Sequence, residues 1–124
     1  MMPKVLIADD EPHIRLLLGR ALEPLEDEDV EILTAENGAV ALDLIVQEKP
    51  DIAFLDVMMP QMSGYDVCRE VKKERKMSVY VVLLTAKGQE ADKKMGMEAG
   101  ANLYMTKPFN PDQVLSIARK ILSE

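Results

Sequence analysis

The chain has 124 residues, 48% of them hydrophobic and 30% charged, a composition typical of one globular domain with its own core. A net charge of −7 argues against a non-specific nucleic-acid surface, and the single cysteine, Cys68, excludes an internal disulfide and a multi-cysteine zinc site. The longest apolar run, residues 79–84, is far shorter than the ~20 residues of a membrane span, and no signal-peptide pattern begins the chain. We therefore expect one cytoplasmic domain over residues 1–124, without a membrane contact.

Short apolar runs rich in β-favouring residues alternate with segments of helical periodicity from end to end. The five runs that are predicted to be strands cover residues 5–8, 30–35, 52–55, 79–84 and 103–105. The fourth is the longest and entirely apolar, so it is predicted to be central. Each run is followed by a helical pattern, which predicts parallel βαβ units with right-handed crossovers. The expected fold class is α/β, a doubly wound (βα)5 domain.

The helical patterns differ in how clearly they are marked. Apolar stripes cover residues 14–25, 41–46, 67–71 and 114–122, whereas the helix expected at 89–98 is weakly specified. The last helix has the clearest start, with Asn110 as N-cap, Pro111 at the first position and Gln113 completing a capping box. These helices are expected to cover both faces of the sheet.

Polar side chains follow four of the five predicted strands. Asp9 and Asp10 end the first, Asp56 the third, Thr85 the fourth and Lys107 the fifth. In doubly wound folds, ligands bind beyond the carboxyl ends of the strands. Three carboxylates, a hydroxyl and an ammonium group are therefore expected to meet at one edge of the sheet.

An all-oxygen cluster without histidine or cysteine suits a hard divalent cation, above all Mg²⁺, which accepts phosphate as a further ligand. Lys107 and Thr85 add a charge and a hydroxyl donor for phosphoryl oxygens, and phosphoryl transfer chiefly requires positioning and charge neutralisation. Asp56, on the middle of the three acid-bearing connections, is the natural nucleophile. The competing interpretation is that the aspartates only cap helices or turns.

Several segments together resemble the receiver domain of two-component response regulators, the family of the chemotaxis regulator. The resemblance extends over the whole chain, and its matching segments are residues 5–12, 51–60, 63–64, 83–86 and 100–109. The resemblance implies a flavodoxin-like sandwich with parallel strand order 2-1-3-4-5. It also implies a cis bond between Lys107 and Pro108.

By this resemblance, Asp56 is the phospho-accepting aspartate. Asp9, Asp10 and Asp56, with the backbone carbonyl of Met58, are the implied Mg²⁺ ligands. The implied donor is a sensor histidine kinase or a phosphotransfer protein. The domain would then catalyse only its own phosphotransfer and dephosphorylation, which makes it a signalling domain and not an enzyme in the usual sense.

The same resemblance identifies Thr85 and Lys107 as the pair that contacts the phosphoryl group, and Thr85 and Tyr104 as the switch. The face formed by helix 4, strand 5 and helix 5 would then change partners, which would be a downstream effector or a second copy of the chain. Met58 and Lys87 flank the route of hydrolytic water and are predicted to set phosphate lifetime. We expect no direct nucleic-acid contact by this domain, because it is acidic and carries no helix-turn-helix pattern.

Two alternative functions compete with the receiver interpretation. A haloacid-dehalogenase-type phosphohydrolase would carry a second aspartate two residues after the nucleophile, where this chain has Met58. A receiver-like module without phosphorylation is disfavoured because the five site residues are all present.

Three other features are interpreted as structural. His13 is expected to be an exposed residue without a functional role, Cys68 a core residue, and residues 26–29 a solvated acidic turn. The output is undetermined, and the chain is either a stand-alone receiver or part of a longer regulator.

Overall fold

The structure, a computed structural model, describes residues 2–86 and 90–123. Its five strands are β1 (Lys4–Ala8), β2 (Glu31–Ala35), β3 (Ile52–Asp56), β4 (Tyr80–Ala86) and β5 (Leu103–Lys107). All the strand pairs are parallel, and the order across the sheet is β2-β1-β3-β4-β5. The predicted doubly wound class and the strand order 2-1-3-4-5 are confirmed.

Five principal helices connect and follow the strands: α1 (Pro12–Ala21), α2 (Gly38–Glu48), α3 (Gly64–Arg69), α4 (Glu90–Glu98) and α5 (Pro111–Leu122). One core contains α2 and α3 side chains such as Ile45 and Val67, packed on the sheet face that carries Leu6 and Leu83. The other contains α1 and α5 side chains, and the alternate strand residues, such as Phe54, point into it. The sheet is therefore covered on both faces, which explains its nearly continuous apolar strands.

Strand boundaries differ from the sequence prediction at the carboxyl ends. β4 and β5 continue to Ala86 and Lys107 because Thr85 pairs with Thr106, and Ala86 with Lys107, in the ladder. The sequence predicted strand ends at residues 84 and 105, where the apolar run stops, and was wrong there. The middle strand is β3, all five residues of which are buried, while β4 lies between β3 and β5. The fourth strand, predicted to be central, is thus an interior strand paired on both sides.

The first helical stripe is interrupted in the structure. α1 ends at Ala21, and a separate one-turn helix covers Glu23–Glu26. Pro24 has no N–H to continue the helical ladder, which accounts for the break. Leu22 and Leu25 nevertheless remain buried in the core, so the apolar pattern was right and only the continuity was wrong.

Two helix ends depart from expectation in their details. α3 continues into a π-helical turn over Glu70–Glu74, where the Arg75 N–H donates to the Glu70 carbonyl at 2.9 Å. At α5, Asn110 is the N-cap as predicted, but its side chain accepts from the Asp112 N–H and not from Gln113. The reciprocal capping box instead lies at α3, between Ser63 and Asp66.

The bond between Lys107 and Pro108 is cis, as the resemblance implied. Within the described ranges, no helix combines the length and the apolar character that crossing a membrane requires.

Candidate functional site

The first acidic residue of the site is held by hydrogen bonds immediately beyond β1. Asp9 is fully buried, and its N–H donates to the Ala35 carbonyl at 3.2 Å. One oxygen of its carboxylate accepts the Glu11 N–H at 2.9 Å. The chain thus turns sharply from β1 towards α1 around a fixed carboxylate.

Lys107 connects the ends of β5, β1 and β3. Its Nζ atom lies 2.9 Å from Asp9 Oδ2 and 3.3 Å from Asp56 Oδ1. Burial opposes the charge on Lys107, but the hydrogen bond to Asp9 and the charges of Asp56 and Asp9 outweigh this effect and raise the pKa of the lysine. One ammonium group therefore neutralises part of the charge of two buried carboxylates.

Asp56, the last residue of β3, is 5% exposed. Burial and the neighbouring charge of Asp9 raise the pKa of Asp56 to about 6, against the opposing effects of Lys107 and of the Met58 N–H, which donates to Asp56 Oδ1 at 3.4 Å. A carboxyl group held in this way gains from any added positive charge. Perturbed acids of this kind are concentrated at functional sites.

The acidic residues provide oxygen ligands that fit a hard divalent cation. One carboxylate oxygen from each of Asp9, Asp10 and Glu11 can be chosen so that all three lie within 4.8 Å of one another. Asp56 joins Asp9 through the shared Lys107 contact and does not belong to that tighter group. The donor set fits Mg²⁺, which prefers carboxylates and water and keeps several of its waters.

Thr85 is 1% exposed near the end of β4, on the strand next to that of Asp56. In the β3–β4 register, Asp56 pairs with Leu84, so Thr85 follows one residue beyond the level of the acid. The parallel register therefore brings the hydroxyl-bearing residue to the same sheet edge as the acids and Lys107.

Met58 and Lys87 were predicted to flank the site. The Met58 side chain is 68% exposed, while its backbone N–H contacts Asp56. Lys87 lies outside the described residues. Gly64 closes the loop that carries Met58, because its N–H donates to the Val57 carbonyl at 2.9 Å. A Cβ atom at Gly64 would overlap the Asp56 carbonyl oxygen, so the loop requires glycine there.

Comparison with known proteins bears directly on this site. The family model described as "Response regulator receiver domain" matches residues 5–119, most of the chain. This chain belongs to the receiver domain family. The receiver domain is a component of two-component signalling, and the resemblance seen in the sequence is confirmed.

Individual relatives are similar over the whole receiver domain. The chain is 41% identical over 122 residues to the alkaline phosphatase synthesis transcriptional regulatory protein PhoP of Bacillus subtilis, covering 98% of this chain and 49% of PhoP. It is 42% identical over 119 residues to the probable transcriptional regulator ycf27 of Guillardia theta, covering 96% of this chain and 45% of that protein. The chain thus spans about half the length of these curated relatives.

Among solved structures, the BeF3-activated receiver domain of DrrB, from Thermotoga maritima, superimposes with a TM-score of 0.86 at 34% identity, and both chains are covered 100%. Because the two sequence relatives are transcriptional regulators, they do not support the predicted absence of nucleic-acid contact, which stays a prediction.

Tyr104, the predicted switch residue, lies on β5 and is partly buried against the first of the two cores. Its ring faces α4 at Gly96, where an added Cβ would lie 3.3 Å from Tyr104 Cδ2 and 2.9 Å from Leu83 Cδ1. α4 therefore packs closely on this part of the sheet. The contact connects the predicted switch residue to the helix on the same face.

Sequence reasoning missed two residues near the acids. Glu11 joins the acidic group, and Arg15 of α1 donates from Nη1 to the Asp9 carbonyl oxygen at 2.7 Å. Glu11 was detectable as the third of three consecutive acids. Arg15 also left a signal, because a cation in the first turn of a helix opposes the helix dipole and calls for a compensating contact.

Two residues that invite a functional interpretation prove ordinary. The His13 side chain is 67% exposed, with Nε2 3.4 Å from Glu11. Cys68 is fully buried in the core of α2 and α3, and burial raises the pKa of its thiol to about 11. The interpretations of an exposed histidine and a core cysteine both agree with the structure.

Proposed function

We propose that this receiver domain is a phosphorylation-activated switch that accepts a phosphoryl group on Asp56. The observation that carries the proposal is the Lys107 ammonium between the buried carboxylates of Asp9 and Asp56. Such an arrangement leaves an acid whose ionised form is poorly compensated and a lysine positioned beside it. Both features suit a site where a phosphoryl group arrives together with a divalent cation.

In the proposed reaction, a carboxylate oxygen of Asp56 attacks the phosphorus of a phosphohistidine on a sensor kinase or phosphotransfer protein. The phosphorus–oxygen bond forms as the phosphorus–nitrogen bond breaks, and the electron pair leaves with the imidazole nitrogen. With a pKa of about 6, Asp56 is mostly ionised at neutral pH and is ready to attack. The receiver domain itself would catalyse both its phosphorylation and its dephosphorylation.

The residues around Asp56 have separate proposed roles. Asp9, Asp10, Asp56 and the Met58 backbone carbonyl would hold Mg²⁺, which supplies charge neutralisation for the phosphoryl oxygens when bound. Lys107 would contact a phosphoryl oxygen directly. Its present contacts with two carboxylates keep it at the site before phosphorylation.

We propose that phosphorylation changes the partner-binding face through two residues. The Thr85 hydroxyl would donate a hydrogen bond to the phosphoryl group, and Tyr104, close to α4 at Gly96, would reorient as Thr85 moves. The surface of α4, β5 and α5 would then bind a downstream effector protein or domain, or a second copy of the chain. Met58 and Lys87 are proposed to set the lifetime of the phosphorylated state. With its net charge of −7, the domain is proposed to act in the cytoplasm through protein contacts, not through nucleic acid or a membrane.

Intact mass after incubation with Mg²⁺ and acetyl phosphate tests this function. We expect one added phosphoryl group that requires Mg²⁺ and is absent from Asp56→Asn. Beryllofluoride binding, followed by NMR in the presence of Mg²⁺, detects the site even where the phosphoryl group is short-lived. The proposal fails if neither phosphorylation nor Mg²⁺-dependent beryllofluoride binding occurs, or if Asp56→Asn is modified as well as the wild type.

A further inference from the structure

Arg15 reaches from α1 to the backbone of the acidic turn. Its Nη1 atom donates to the Asp9 carbonyl oxygen at 2.7 Å. Every other polar group of Asp9 also has a partner: its N–H donates to Ala35, and its two carboxylate oxygens accept from Glu11 and Lys107. Arg15 completes these four partners of Asp9, and it is the one among them that contributes a side chain from a helix.

The hydrogen bond from Arg15 restrains the peptide group between Asp9 and Asp10, which lies beyond the end of the sheet ladder. The ladders between β1 and its neighbours end at Ala8, one residue before Asp9. The Asp9 carbonyl belongs to the peptide that leads into Asp10, whose side chain is exposed to solvent. A charged donor on this carbonyl therefore restrains the rotation of the peptide, and with it the direction in which the Asp10 carboxylate points.

The position of Arg15 on α1 supports a specific role. Arg15 lies in the first turn, close to the positive end of the helix dipole, where a cation is disfavoured. Its side chain is partly buried and directed back towards the acids. Arg20, on the same helix, is exposed and lies in the last turn, where a cation is favoured.

We propose that Arg15 is a positioning residue for the divalent cation at Asp9 and Asp10. This inference rests on the proposed Mg²⁺-dependent function. Arg15 does not touch the cation: its guanidinium holds the Asp9–Asp10 peptide so that both carboxylates point to one place. Replacing residues that orient metal ligands in this way typically weakens metal binding about 10- to 100-fold.

The direction of the change in Mg²⁺ affinity distinguishes a positioning role of Arg15 from a purely electrostatic one. If Arg15 acted only through its charge, removing it would reduce repulsion towards Mg²⁺ and tighten binding. If Arg15 holds the acidic turn, removing it loosens the ligands and weakens binding. The two explanations therefore predict opposite changes in Mg²⁺ affinity.

The test is the dissociation constant for Mg²⁺, measured by isothermal titration calorimetry at fixed ionic strength. We expect Arg15→Gln to weaken binding about tenfold, within the range seen when partners of metal ligands are removed. Arg20→Gln, the matched control, removes the same charge from an exposed site of the same helix and should bind as the wild type does. Urea unfolding shows beforehand that each variant is folded, and if Arg15→Gln is not, Arg15→Met, which keeps the aliphatic stem and removes the donor, replaces it with the same expected loss.

An affinity for Mg²⁺ that is unchanged or tighter in the folded Arg15 variant overturns the inference, as does an equal loss in Arg20→Gln. Failure of the wild type to bind Mg²⁺ would instead overturn the proposed function itself. The Asp56 phosphorylation assay on the wild type separates these two failures, because it does not depend on any Arg15 variant.

Discussion

Asp56 is the residue where stability and function conflict most clearly. Its carboxylate is nearly buried, close to that of Asp9, and only Lys107 brings a compensating charge among the contacts described for it. The raised pKa, about 6 against an ordinary value near 3.8, means that ionised Asp56 destabilises the folded state at neutral pH. A site used only for packing would have no reason to keep such a residue, and this is the physical argument for a reactive acid.

The first prediction follows from this conflict. Asp56→Asn should increase the free energy of unfolding at pH 7.5, measured by urea denaturation in EDTA. A pKa difference of about 2 corresponds to ~3 kcal/mol, and solvent at the mouth of the site screens part of it, so we expect about 1–2 kcal/mol.

The pH dependence gives that prediction a definite sign. A carboxyl whose pKa is raised on folding makes its favourable contribution below the ordinary value near 3.8 and loses it as the pH rises through about 6. The gain in unfolding free energy from Asp56→Asn should therefore be full at pH 7.5, decline between pH 6 and pH 4, and largely disappear below pH 4. A gain that is the same at pH 7.5 and pH 4 would mean that desolvation of this carboxylate is not its cause.

The second prediction concerns Met58, whose side chain is exposed and whose backbone N–H contacts the acceptor. Met58→Asn should speed loss of the phosphoryl group from Asp56 by about threefold or more, a barrier change of only ~0.7 kcal/mol, because an amide can hold water where a thioether repels it. Gln61→Asn, in the same exposed loop, is the control, since Asn tolerates the positive φ of 71° found there. Equal decay rates in the wild type and Met58→Asn would refute the role of Met58.

At the scale of elements, replacing glycine by alanine should have opposite effects on stability at two helical positions. A Cβ at Gly38, the first residue of α2, would overlap the Met62 carbonyl oxygen, whereas a Cβ at Gly19 in α1 meets nothing within 4 Å. Gly38→Ala should lose about 1–3 kcal/mol of unfolding free energy, and Gly19→Ala should gain about 0.5–1 kcal/mol from helix propensity. Urea denaturation measures both variants, and a gain in Gly38→Ala would contradict the close approach of α2 to the loop between β3 and α3.

The elements themselves were largely predictable from the sequence, because fully covered parallel strands produce continuous apolar runs. The site was predictable for a related reason: the carboxyl ends of those strands must meet at one edge, so Asp9, Asp56 and Lys107 could be grouped without coordinates. Strand ends were not predictable to the residue. Thr106 and Lys107 remain in the ladder despite being polar, since backbone pairing does not depend on side-chain polarity.

Other local features left too weak a signal. The π-helical turn at Glu70–Glu74 has the composition of an ordinary charged helix end. Within this turn, Lys72 Nζ donates to the Val79 carbonyl at 2.9 Å, a contact between segments that the local sequence does not announce. The place of Arg15 in the first turn indicates that it needs a partner, but which atom it reaches depends on the angle between β1 and α1, which no periodicity encodes. Contacts made by a single side chain across a turn are therefore where sequence reasoning stops.

At the scale of the whole molecule, the charge is unevenly balanced. The net charge is −7, and Asp9, Asp10, Glu11 and Asp56 add concentrated negative charge at one edge of the sheet. Self-repulsion of this kind destabilises a compact state, and any added salt relieves part of it. A specific cation site must therefore be distinguished from general screening.

The last prediction makes that distinction. At constant ionic strength, Mg²⁺ at ten times its dissociation constant should raise the free energy of unfolding by about 1.4 kcal/mol, because it binds the folded chain only. Asp9→Asn should abolish this gain by removing a buried ligand, whereas Asp43→Asn, which removes an exposed acid from α2, should retain it. Chemical denaturation with Mg²⁺ replaced by an equivalent ionic strength of NaCl provides the comparison. If NaCl stabilises the wild type as much as Mg²⁺ does, the acidic edge acts only through its overall charge, whereas a gain confined to Mg²⁺ and lost in Asp9→Asn requires the carboxylates to converge on one ion.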